Sequence, residues 1–208
     1  MNTYDSFSNV VSATGSAGGA TVFFYDDDQR QVGVVQPLSG GGGTSHYAAT
    51  KTTYDDSNRV TQVEQGYTIS QSRYDFDNNF TSLVQSASAY DSHTGLKMQA
   101  TGSIGSTAQS VTQYSYDPGQ RPDCTAVRQD SSVFGSLPSS ACTQSTSAHT
   151  DLISETHYDS VNRVTSVDTG VGSAISITSL TNHYDSTGRL DWVEDGKGNR
   201  SGYVYEAP

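Results

Sequence analysis

The sequence predicts an all-β chain built from tandem β-hairpins. Three observations carry that reading. The stretch Tyr54-Asp55-Asp56-Ser57-Asn58-Arg59-Val60-Thr61-Gln62-Val63 returns almost intact at Tyr158–Val167 and again at Tyr184–Val193. Aromatic residues before the Tyr-Asp pair recur at every second position, as in Phe23 and Tyr25, Tyr114 and Tyr116, and Tyr203 and Tyr205. That is the period of a strand with one face filled by rings. Thr and Ser, which suit strands, fill the alternate positions.

Internal repetition fixes architecture before any single motif does. Tyr-Asp pairs begin at Tyr4, Tyr25, Tyr54, Tyr74, Tyr90, Tyr116, Tyr158 and Tyr184, and Tyr205-Glu206 looks like a ninth. The 42-residue step from Tyr116 to Tyr158 equals two units of 21, which implies one repeat that has lost its signature.

Each repeat reads as strand, turn, strand. The Asp carboxylate can accept from backbone N–H groups two residues on and so start a turn. Three residues later come Asn58, Asn78, Asn162 or Gly188, types that tolerate the positive φ of a tight hairpin loop. Turns are therefore expected at 26–29, 55–58, 75–78, 117–120, 159–162 and 185–188. One detail resists a flat strand. Val60 and Val63, Val164 and Val167, and Leu190 and Val193 are each three apart, which would put them on opposite faces. A bulge, or burial of both faces, would reconcile the spacing.

In chain order, residues 1–24 hold a degenerate first repeat and a Gly/Ala/Ser run from Thr14 to Ala20. Looser insertions are expected at 36–50, around Ser39-Gly40-Gly41-Gly42-Gly43-Thr44, and at 122–157, which contains Pro122, Pro138 and both cysteines. The remainder reads as a single array over 1–208, cut from a longer one.

Only 33% of the 208 residues are hydrophobic, and 13 Tyr are the main apolar resource. Stacking repeat on repeat is how a chain copes with so poor a core. A net charge of −11 argues against nucleic acid as a partner. No apolar run approaches the length of a membrane span.

Cys124 and Cys142 lie 18 apart in a Gly/Ser-rich segment and are candidates for a disulfide closing one long hairpin. His157 and His183 each precede a Tyr-Asp pair, which favours a structural role; His46, His93 and His149 show no pattern. Asp26-Asp27-Asp28 and Asp75-Phe76-Asp77-Asn78 lack the spacing of a calcium loop. No nucleophile elbow or metal motif occurs, so no catalytic residue, metal or cofactor is assigned.

Tyr-Asp-x-x-Gly/Asn-Arg-Leu/Val units at about 21 residues resemble the YD repeats of bacterial RHS-repeat proteins, relatives of toxin-complex shells, wall-associated proteins and teneurins. The motif residues that carry the resemblance are Tyr25, Asp26, Arg30, Tyr54, Asp55, Asn58, Arg59, Tyr74, Asp75, Tyr116, Asp117, Arg121, Tyr158, Asp159, Asn162, Arg163, Tyr184, Asp185, Gly188 and Arg189. The resemblance implies hairpins in an extended curved sheet, part of a spiral shell or solenoid. It implies a secreted or cell-surface scaffold without catalysis, whose partners are the rest of the shell and a C-terminal toxin or effector domain. A carbohydrate-binding or adhesion module using exposed Tyr rings is the alternative, and an unrecognised hydrolase the third.

Overall fold

The computed structural model describes residues 1–15, 19–38 and 46–206. The expected loose segment Ser39–Thr44 lies outside them. The strands are β1 (Asn2–Tyr4), β2 (Val10–Thr14), β3 (Ala20–Tyr25), β4 (Gln31–Pro37), β5 (Tyr47–Tyr54), β6 (Val60–Thr68), β7 (Thr81–Tyr90) and β8 (Lys97–Ile104). They continue as β9 (Thr107–Tyr116), β10 (Pro122–Arg128), β11 (Leu152–Tyr158), β12 (Val164–Thr169), β13 (Ile177–Tyr184), β14 (Leu190–Asp195) and β15 (Arg200–Gly202). Strand order in the sheet follows chain order from β1 to β15, an antiparallel meander. The chain is all-β as the sequence predicts, with one short helix, α1 (Arg73–Asn78), and a single 3-10 turn at Ser131–Val133 among the described residues. None of those helices is long and apolar enough to cross a membrane.

The spacing of the Val pairs is explained by a bulge. Thr53 pairs with Gln62 but Tyr54 pairs with Val60, so Thr61 is the extra residue. The same slip precedes Tyr158 and Tyr184, and also Tyr4 and Tyr25. One extra residue restores the parity of Val60 and Val63, so both share a face with Tyr54.

Two compact units are distinguished: residues 1–89 with 101–109, and residues 90–100 with 110–208. In the first, Val35, Ala49 and Phe76 form the buried cluster, with Phe24, Tyr47 and Phe80 packed against it. The register places Val35 opposite Ala49, and Phe24 opposite Gly33. This is the face opposite Tyr25, and α1 covers it through Phe76, which is 1% exposed. Gly33 is required there, because a Cβ would lie 2.5 Å from Phe76 Cζ.

Helix α1 corrects the expectation of a repeat turn at 75–78. Tyr74, Asp75 and Asn78 lie within it. The Ser72 hydroxyl caps its start by accepting from the Asp75 N–H at 3.1 Å, and Asp75 also bonds Ser70. The Ser72-x-x-Asp75 spacing is that of a capping box, with Asp in the place of Glu. Six residues are too few to hold a helix in water, so the burial of Phe76 against the sheet holds this one.

In the second unit, Cys124, Ala126, Ala141 and Ile153 form the core cluster, with Cys142 and Val171 against it. Cys124 and Cys142 are joined as a disulfide, Cα to Cα 5.2 Å. The region read as a repeat without its signature is different in kind. Strands β10 and β11 pair directly, and the long connection between them folds back over the cluster. At its base Arg128 and Asp151 form an ion pair with both side chains fully buried. Arg128 donates to Gln113 Oε1, to the carbonyls of Thr143 and Ser140, and to Asp151 at 2.8 Å. Asp151 also accepts from the N–H groups of Gln129 and Ser145. Every charge in this pair is thus hydrogen-bonded, the condition under which burial is tolerated.

Candidate functional site: the repeated Asp–Arg–Tyr clasp

The repeat motif folds into one arrangement used many times. In the turn after Tyr158, Asp159 Oδ1 accepts from the backbone N–H groups of Val161 at 3.0 Å and Arg163 at 2.9 Å. Its Oδ2 accepts from Arg163 Nε at 2.7 Å. The same three contacts recur for Asp26 with Arg30 and for Asp55 with Arg59. They recur again for Asp117 with Arg121 and for Asp185 with Arg189. The residue before each Arg takes positive φ: Gln29 +64°, Asn58 +61°, Gln120 +61°, Asn162 +68° and Gly188 +87°. This is the left-handed residue that closes a three-residue hairpin loop, and Asn and Gly supply it most cheaply.

Four of these Arg then reach the next hairpin. The guanidinium carbon sits over a Tyr ring 5.0 Å away for Arg30 and Tyr54, 4.4 Å for Arg121 and Tyr158, 4.2 Å for Arg163 and Tyr184, and 4.5 Å for Arg189 and Tyr205. The Tyr hydroxyl returns a bond to the residue after that Arg. Tyr54 donates to Gln31 O, Tyr158 to Pro122 O, Tyr184 to Val164 O and Tyr205 to Leu190 O. Tyr25 and Tyr116 make the equivalent bonds to Val10 O and Lys97 O. Where the next turn carries Asn, the Arg bonds it as well: Arg30 to Asn58 Oδ1 at 2.7 Å and Arg121 to Asn162 Oδ1 at 2.9 Å. Gly188 offers no such acceptor to Arg163.

The electrostatics follow the geometry. The Arg163 backbone N–H, with the guanidinium and the Val161 N–H, holds the Asp159 carboxyl below its usual range, against a desolvation effect second only to that first bond. For Asp117 the Arg121 side chain is the leading cause, and for Asp185 it is the Thr187 hydroxyl. Hydrogen bonding to the charged form is the shared mechanism.

Sequence reading missed one clasp, which follows no Tyr-Asp pair, and the partnership of Arg with the next Tyr. Asp195 bonds the N–H groups of Lys197 and Asn199 and the Asn199 side chain, a full clasp with no Tyr before it. Its signal was Asp195-Gly196-Lys197-Gly198-Asn199. Asp5 with Asn9 is a second Asn version. That partnership joins the rings of Tyr54, Tyr158, Tyr184 and Tyr205 to a guanidinium and a carbonyl of the preceding repeat. The array thus interlocks polar groups across hairpins.

No protein-family model matches the chain, and no characterised protein matches it by sequence. Solved structures do match. The crystal structure of TcdB2-TccC3-Cdc42 matches 97% of this chain with a TM-score of 0.60 at 14% identity. The likeness is one of fold. This chain spans 9% of that structure's length. The crystal structure of TcdB2-TccC3-TEV covers 99% of this chain at 12% identity and a TM-score of 0.48, over 13% of its own length. The Photorhabdus luminescens Tc holotoxin pore gives 0.47 at 12% identity, over 99% of this chain and 12% of its own.

Proposed function

We propose that this chain is a non-catalytic scaffold, a segment of an RHS-repeat shell that encloses or presents a C-terminal toxin or effector domain. The observation that carries this reading is the clasp itself. A catalytic site is usually built once; here five Asp–Arg turns repeat one geometry, and four of the Arg reach a Tyr of the following repeat. Fold likeness to a toxin-complex structure over nearly the whole chain supports it. A disulfide at Cys124–Cys142 suits secretion or the cell surface.

The carbohydrate reading is weaker. It needs open ring faces, yet an Arg lies over each of Tyr54, Tyr158, Tyr184 and Tyr205. Electron microscopy of the natural protein that carries this segment tests the proposal. A hollow particle with density inside supports a shell. An open rod or a compact solid particle would refute enclosure.

A further inference from the structure

Three side chains on one face of β11 and β12 form a cluster that the clasp does not use. Glu155 and His157 are two apart on β11, and Asp168 on β12 lies directly opposite Glu155. All three are half-buried, and their donor atoms lie within 4.8 Å of one another. Glu155 is in register with Cys124 on its other side, so the cluster borders the buried core around the disulfide.

Two features set it apart from an ordinary surface patch. Like charges directly opposite on an antiparallel pair are destabilising, and Glu155 and Asp168 are such a pair. In addition, Asp168 Oδ1 is buried without a hydrogen-bond partner, while Oδ2 takes the His157 Nε2 bond at 2.9 Å. The Thr178 hydroxyl, on the residue in register with Asp168 on β13, and after it His157 hold the Asp168 carboxyl below its usual range, but neither meets Oδ1 in hydrogen-bond geometry. An orphaned buried oxygen is uncommon in a finished structure.

We propose that Glu155, His157 and Asp168 bind a zinc-class divalent cation. One imidazole with two carboxylates is a donor set for a borderline transition ion, whereas calcium and magnesium favour oxygen ligands alone. A tetrahedral zinc ion holds its donors about 3.4 Å apart, so small side-chain rotations close the cluster around it. The ion would neutralise the opposed carboxylates, give Asp168 Oδ1 a partner and pin β11 to β12. With three protein donors, the fourth position is left to water or a ligand.

The test is calorimetric titration of the tag-free chain with Zn2+ after chelator dialysis, paired with thermal melts with and without the ion. The site predicts saturation at one equivalent and a rise in Tm on zinc addition, as for any ligand bound only by the native state. Glu155→Gln and His157→Gln should each weaken binding about tenfold or more and abolish the Tm rise. Glu155→Gln removes a repulsive charge, so it should fold at least as well without zinc. His149→Gln should change nothing. Co2+ substitution should give visible d–d bands that disappear in His157→Gln. Wild-type binding equal to that of Glu155→Gln and His157→Gln, or binding that disappears with His149→Gln, would overturn the assignment.

Discussion

Truncating Tyr158 to alanine should cost about 3 kcal/mol of stability. Three contributions make up that figure. The hydroxyl bond to Pro122 O, 2.9 Å long, is worth about 1 kcal/mol. The guanidinium of Arg121 at 4.4 Å from the ring centre adds about 0.5–1 kcal/mol. Returning a half-buried ring to water loses about 1 kcal/mol, roughly half the value of full burial. Tyr158→Phe should lose only the hydroxyl contribution, about 1 kcal/mol. Urea unfolding followed by circular dichroism separates the two variants. Tyr4 is 59% exposed, so Tyr4→Ala should have little effect. If Tyr158→Phe and Tyr158→Ala lost the same amount, the ring and its cation would contribute nothing and the clasp would reduce to a single hydroxyl bond.

The chain should become acid-labile. Asp26, Asp55, Asp117, Asp159 and Asp185 all have folded pKa values below the ordinary carboxylate range. Their stabilisation is therefore complete above the unfolded value of about 3.9 and is lost as pH falls from there through the folded values; urea midpoints at neutral pH and at about pH 3 check this, and an unchanged midpoint would count against it. Phe76→Ala should cost about 3–5 kcal/mol by opening a cavity under α1, whereas the exposed Tyr74→Ala should be nearly neutral in the same melt. Arg128→Met leaves the Asp151 carboxylate buried without its cation and should cost about 3–5 kcal/mol. Replacing Arg128 and Asp151 together by apolar residues should recover much of that loss.

What the sequence made legible was local. A turn started by Asp and closed by Asn or Gly three residues on needs no distant partner, so the turns at 26–29, 55–58, 117–120, 159–162 and 185–188 could be read directly. The Val60 and Val63 spacing also encoded the bulge, although it could not say which residue was extra. Helix α1 was misread because the Tyr74-Asp75 dipeptide outweighed Ser72-x-x-Asp75 and the Phe76 and Phe80 pair, which are helix signals of short range. Contacts between hairpins were invisible for a different reason. Arg121 and Tyr158 are 37 residues apart, and their meeting depends on strand register. Arg128 and Asp151 are likewise brought together only when β10 and β11 pair. Two unremarkable charged residues then become the buried anchor of a long connection.

Where a turn carries Arg30, Arg121, Arg163 or Arg189, the hairpin is locked to the next through that Arg and the following Tyr. A double-mutant cycle across Arg163 and Tyr184, 4.2 Å apart, tests it most directly, because the cycle cancels what Arg163 contributes within its own turn. With Arg163→Met and Tyr184→Leu, a coupling energy of about 0.5–1 kcal/mol is expected, against none for the remote pair Arg163 and Tyr25. Coupling within error of zero at Arg163 and Tyr184 would contradict the account, and the hairpins would then be held by backbone pairing alone.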